Sequence, residues 1–336
     1  MKSRRHASLV IFFAATTLAV GVGRPVAQAI DPPPLTLENK VALGNVSGRI
    51  DHMAFDPIRN RLLVAELGNN TLGVVDITGR KVVHVITGLS EPQGVGYSAS
   101  NDSIYVANGG DGSVRVYRAD DYTQTGRIDL GGDADNIRID PAANRVLVGY
   151  GSGAIAAIDA ASGNKTATFA LPGHPESFQL DAKTNQIFVN VPDSRAIVVL
   201  DGMTGQKKAT WPLRSSIGNF PMALDDEAQR ILVAFRSPTR LGAFSISGES
   251  LANVELCGDA DDLFLDTKRH RIYVSCGQGV LDVFEAREGG YRRSARLPTA
   301  PGARTSYFVP SIDRLLVAVR STSAQPAAIW VFRPAP

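Results

Sequence analysis

The chain has 336 residues, with 35 Lys and Arg against 33 Asp and Glu, and 44% of it is apolar, enough for a large core. No cluster of Lys and Arg with interleaved aromatics stands out, so nucleic acid is not an expected partner. Thirty-two glycines point to many tight turns.

At the amino terminus Lys2, Arg4, Arg5 and His6 precede an apolar run from Ala7 to Val22, and Ala27-Gln28-Ala29 offers small residues for cleavage. This reads as a secretory signal peptide over residues 1–29, and it predicts a periplasmic or secreted protein. Neither the run nor any later segment is a comfortable bilayer span of roughly 20 residues, so no transmembrane segment is expected after cleavage. Cleavage after Ala29 removes Lys2, Arg4, Arg5 and Arg24 and no acidic residue, leaving 31 basic against 33 acidic side chains, a net charge of about −2.

The next apolar stretch, Lys40-Val41-Ala42-Leu43, is followed by strand-like runs at Met53-Ala54-Phe55, Arg61 to Ala65, Leu72 to Asp76 and Val82 to Ile86. They are short, β-branched and separated by Asp, Gly and Asn turns, with no helical period between them. This pattern then repeats. The phrase Arg61-Leu62-Leu63-Val64-Ala65 has counterparts beginning at Ser103, Arg145, Gln186, Arg230, Arg271 and Arg314, at spacings of 42, 42, 41, 44, 41 and 43 residues. Five residues before the phrase stands Asp56, Asp140, Asp181, Asp225 or Asp266 in five copies, with Ser98 and Val309 in the others.

Seven repeats of four strands predict an all-β fold, a seven-bladed β-propeller over residues 30–336 built from four-stranded antiparallel blades. Strands of near-continuous apolarity need cover on both faces, which stacked blades supply. The last repeat ends after a third strand at Ala328 to Phe332, so the strand at Lys40 to Leu43 is expected to complete blade seven and close the ring. The arginine opening five of the phrases, after a far-face turn, is expected to pair with turn carboxylates.

Tyr105-Val106-Ala107-Asn108, followed by Gly112-Ser113-Val114-Arg115-Val116, resembles the YVTN-repeat propellers, and Leu72 to Gly79 fits that family's Val-rich strand and Thr-Gly turn. The resemblance covers the chain after the signal peptide. It implies the propeller fold, while related propellers include lactonases, dehydrogenase subunits, surface-layer proteins and binding modules.

The loops entering the innermost strands ring the channel mouth. The repeat alignment places Asp51, Gln93, Asp135, Glu176, Phe220, Asp261 and Arg304 there, followed one residue later by His52, Gly94, Asn136, Ser177, Pro221, Asp262 and Thr305. His174, just before Pro175-Glu176, is a further candidate. Two loops are nearly the same, Gly132-Asp133-Ala134-Asp135-Asn136 and Gly258-Asp259-Ala260-Asp261-Asp262. Hard cations prefer oxygen clusters, so Asp51, Asp135, Glu176 and Asp261 are candidate ligands for a divalent cation. The ordinary alternative is that these carboxylates accept backbone N–H bonds or face channel water. There is no Cys-x-x-Cys-His, hence no attached haem is expected, and no Gly-x-Ser-x-Gly or His-Glu-x-x-His motif. Cys257 and Cys276 are expected to form a disulfide within blade six, Cys276 lying opposite Asp261.

Two functions follow. The first is a non-catalytic module that binds a small molecule or a partner protein through its top face. The second is a lactonase-like hydrolase in which a metal held by the carboxylates polarises a carbonyl, His52 is the base and Arg304 holds an acidic substrate. An electron-transfer partner subunit is a weaker third.

Overall fold

The computed structural model describes residues 32–336, so the expected signal peptide lies outside the described residues. Seven four-stranded antiparallel sheets form, six of them from four strands consecutive in the chain and the seventh from the last three strands and the first, each running from an inner strand at the channel to an outer one. The second strand of each blade is the recurrent phrase, and blade one shows why it is apolar at successive positions. Leu62 and Val64 pack with Leu316 and Ile329 of blade seven, while Leu63 and Ala65 pack with Ile104 and Val106 of blade two. Alternate side chains thus bury against opposite neighbours, and all four are inaccessible to solvent. The outermost strand Lys81–Ile86 has water beyond it and is mostly exposed.

Between the first two strands of a blade, the turn Asp caps the chain reversal. Asp56 accepts the backbone N–H of Ile58 at 2.8 Å and of Arg59 at 3.2 Å, and Asp181 accepts that of Lys183 at 2.9 Å. The residue just before each phrase is left-handed in all seven blades: Asn60, Asp102, Asn144, Asn185, Gln229, His270 and Asp313, with φ between 47° and 54°. Of the recurrent arginines, only Arg145 pairs with its own turn Asp, at 2.8 Å from Asp140. Arg61 instead reaches Asp76 on the neighbouring strand at 2.7 Å, and Arg314 reaches Glu38 at 2.6 Å. In blades one and six the turn carboxylates are taken by Arg59 and Arg269, nearer in the turn itself.

Ring closure is made by Leu35–Ala42, which pairs with Ala328–Pro334 from Leu35 opposite Pro334 to Ala42 opposite Ala328. The closing strand starts earlier than the apolar run alone suggests, because Leu35 is buried beside Phe332 and adds to the blade-seven core. In blade six a disulfide joins Cys257 and Cys276, with Cα atoms 6.0 Å apart. Cys276 lies opposite Ala260, not Asp261, because a bulge between Ala260 and Asp262 shifts the register by one. Closing so short a loop stabilises the fold by about 3 kcal/mol in the chain-entropy account.

Candidate functional site

The propeller axis holds a cavity of about 450 Å³, lined by side chains from all seven blades. Four inner strands break their pairing register where they reach its mouth: Pro92/Val95, Ala134/Ile137, Asn219/Met222 and Ala260/Asp262. Such bulges re-aim side chains, and here they lie at the aligned entry positions.

Asp51, His52, Asp135, Asn136, Glu176, Asp261 and Asp262 all line this cavity. Gln93, His174 and Arg304 do not; they stand behind it and hold acidic side chains. Gln93 donates to Asp133 at 2.9 Å, His174 Nε2 lies 3.8 Å from Asp135, and Arg304 contacts Asp259 at 3.0 Å and Asp261 at 2.8 Å.

His52 is the centre of the arrangement. Its Nε2 lies 3.8 Å from Asp51 and 3.7 Å from Asp135, and its Nδ1 lies 3.9 Å from Asp262. Asn136 Nδ2 is 3.2 Å from Nε2. Arg138 donates to the Asn136 amide oxygen at 3.2 Å, and because a guanidinium can only donate, the amide nitrogen must face His52. In the neutral ring Nε2 then accepts and Nδ1 carries the proton toward Asp262. Burial by itself lowers the His52 pKa, but Asp51, Asp262 and Asp135 together outweigh it and hold the imidazole above its ordinary value.

The carboxylates differ sharply in their surroundings. Burial pushes Glu176 and Asp262 each up to about 7, and it raises Asp51 as well. Among the described residues Glu176 makes neither a side-chain hydrogen bond nor an ion pair, while Asp262 accepts the Ser306 backbone N–H at 2.8 Å. The Asp135 carboxylate beside it pushes the His174 imidazole up to about 9, with its Nδ1 on the Gly151 carbonyl at 2.6 Å.

The two Asp-Ala-Asp loops, nearly alike in sequence, meet opposite neighbours. Asp135 faces two imidazoles, and its Oδ1 has no hydrogen-bond donor. Asp261 is clamped between Arg236 at 2.6 Å and Arg304 at 2.8 Å, and Arg236 lies over the Phe220 ring at 3.8 Å. Its charge is already matched.

For a divalent cation, the buried Asp135 Oδ1 without a donor and the unpaired Glu176 are suitable hard oxygen ligands. Asp51 could join them, whereas Asp261 is committed to two guanidinium groups. Among the described residues no group of three or more His, Cys, Asp or Glu is already gathered for a metal.

Two participants, Arg138 and Arg49, were not read from the repeat alignment, nor was the role of a third, Gly94. Arg138 sits two residues beyond Asn136 and so projects to the same side of its strand, a signal available in the alternation. Arg49 pairs with Asp51 at 2.8 Å. Gly94, at the position aligned with His52, leaves room for blade three: a Cβ there would collide with the Asp135 carbonyl oxygen.

A family model described as Arylesterase matches residues 42–156, a stretch holding Asp51, His52, Asp135, Asn136 and Arg138. No curated protein matches the chain. Among solved structures, a chain of a mitotic checkpoint complex is similar at 14% identity and a TM-score of 0.77, over 96% of this chain and 99% of that one. A chain of hydrazine synthase from Kuenenia stuttgartiensis is similar at 16% identity and a TM-score of 0.74, over 84% and 95%. At such identities the likeness is one of fold.

Proposed function

We propose that the protein is a hydrolase of small esters or lactones acting at the channel mouth. The observation that carries this reading is His52, a cavity-lining imidazole with carboxylates of Asp51, Asp135 and Asp262 within 3.9 Å, inside the segment matched by the arylesterase model. The His52 Nε2 lone pair, exchanging its 3.2 Å bond from Asn136 for one from water, takes a proton from that water as it attacks the carbonyl carbon, and ionised Asp262 stabilises the imidazolium that forms. Glu176, still partly protonated near neutral pH, can donate to the carbonyl oxygen as negative charge develops there. When the acyl C–O bond breaks, the leaving oxygen recovers a proton from the His52 imidazolium. In place of the Glu176 proton, a divalent cation held by Asp51, Asp135 and ionised Glu176 would supply Lewis-acid polarisation of the carbonyl.

The basic, apolar start of the chain and the Cys257–Cys276 bridge support export to an oxidising compartment. Amino-terminal sequencing of the exported form tests this; retention of Met1 would refute it. Hydrolysis is tested with phenyl acetate and a set of five- and six-membered lactones, between pH 6 and 9, with and without calcium. Turnover that disappears in His52→Gln supports the reading. No turnover of any substrate would return the channel to a non-catalytic binding role.

A further inference from the structure

Around the channel mouth, Arg49, Arg236 and Arg304 each touch an aspartate. Arg138 does not. It lines the cavity and has no carboxylate within ion-pair distance among the described residues. Its contacts go to neutral acceptors: the Asn136 amide oxygen at 3.2 Å, the Ile137 carbonyl at 2.8 Å and the Ser177 hydroxyl at 3.2 Å. A guanidinium carries five N–H donors, so two remain without a protein acceptor. The Phe178 ring lies 5.4 Å from its central carbon and steadies the plane. Burial lowers its pKa, the expected consequence of a cation taken from water without a counter-ion.

We propose that Arg138 is an anion anchor, and that the channel takes small carboxylic acids with an apolar body. The walls around it are suited to that body, with Phe55, Val95, Ile137, Met222, Phe264 and Tyr307 among them. A carboxylate matches the fork of a guanidinium and would supply the missing counter-charge. Arg304, singled out by sequence for an acidic substrate, is already occupied by Asp259 and Asp261, so this role passes to Arg138. The proposal rests on the channel being the ligand site; joined to the hydrolytic reading, it selects esters that bear a carboxylate.

The test uses the whole chain after signal removal, with benzoate and its neutral near-isostere benzamide, and reads binding by calorimetry and thermal shift. Benzoate should bind at least tenfold more tightly than benzamide. Arg138→Gln should remove that preference, and Arg138→Lys should keep part of it. If Arg138→Gln does not fold, the comparison of the two probes on the unaltered protein decides alone. Equal affinity for both, no detectable benzoate binding, or an unchanged preference in Arg138→Gln would each overturn the proposal. Because binding is read without turnover, its failure is separable from failure of the hydrolytic reading. A second arm compares phenyl acetate with 4-acetoxybenzoate, and the acid is expected to show the lower KM.

Discussion

Arg138 and His52 are joined through one amide: the guanidinium holds the oxygen of Asn136 at 3.2 Å, and the amide nitrogen meets Nε2 of His52, also at 3.2 Å. Asn136→Leu removes the group that sets the tautomer while leaving the imidazole and its carboxylates. It is expected to lower kcat and, because part-buried Arg138 loses an acceptor, to cost about 1–3 kcal/mol of stability, whereas His52→Gln should lower kcat by roughly 10²–10⁴. A pH–rate profile distinguishes a tautomer effect from simple loss of packing. Unaltered kcat in Asn136→Leu would remove Asn136 from the mechanism.

Because His52 is held above its ordinary pKa, a base role requires activity to rise with pH through and beyond the usual imidazole range. The expected profile of kcat/KM rises as His52 loses its proton and, without a cation, is limited on the alkaline side by loss of the Glu176 proton, whose pKa is pushed up to about 7. A profile that still falls with rising pH in Glu176→Gln would argue that His52 works as an acid.

Stability should run the other way. Glu176 and Asp262, both pushed up to about 7, keep their protons in the folded state while the unfolded chain loses them from about pH 4 upward. The native state therefore binds more protons between those limits, and stability falls as pH rises through that window. His174, raised to about 9 from 6.5, extends the fall toward pH 9, since its raised folded pKa stabilises most below the unfolded value. Each such group tilts the curve by at most ~1.4 kcal/mol per pH unit. The melting temperature should be higher at pH 5.5 than at pH 8.5, and Glu176→Gln should flatten the difference. An identical dependence in that variant would mean that Glu176 titrates normally.

Calcium at pH 8, where Glu176 is mostly ionised, should raise the melting temperature by mass action, and EDTA should reverse it. Asp135→Asn should weaken this response because it neutralises the carboxylate whose Oδ1 lacks a donor. Asp181→Asn, at a far-face turn where Asp181 bonds Lys183 and Thr184, should leave the calcium-induced shift intact. If calcium, magnesium and zinc all leave the melting temperature unmoved, the cation site is abandoned.

Ring closure predicts a cooperative effect at the amino terminus. Leu35 and Val41 are each only 1% exposed, and the strand that carries them covers the free edge of Ala328–Pro334. Deleting residues 30–49 should therefore abolish cooperative unfolding, followed by circular dichroism during heating. A truncated protein melting at the original temperature would show that blade seven holds without the closing strand.

Much of this architecture is written in the chain because a propeller is a repeat of local units. The seven phrases from Arg61 to Arg314, the five turn aspartates and the strand at Lys40 to Leu43 are periodic signals, and short-range rules convert them into blades and closure. The aligned entry positions likewise predict most of the residues that reach the mouth: Asp51, His52, Asp135, Glu176 and Asp261 line the cavity, whereas Gln93 and Arg304, aligned with them, do not. What each of them does there depends on side chains from other blades. Asp135 and Asp261 sit in almost the same five-residue loop, yet one faces His52 and His174 while the other is clamped by Arg236 and Arg304. Electrostatic roles at an axis are set by through-space distances between strands some forty residues apart, and no local pattern encodes them. The same holds for Arg138, whose distinguishing feature is the lack of a carboxylate partner, a property of its surroundings that only the closed ring defines.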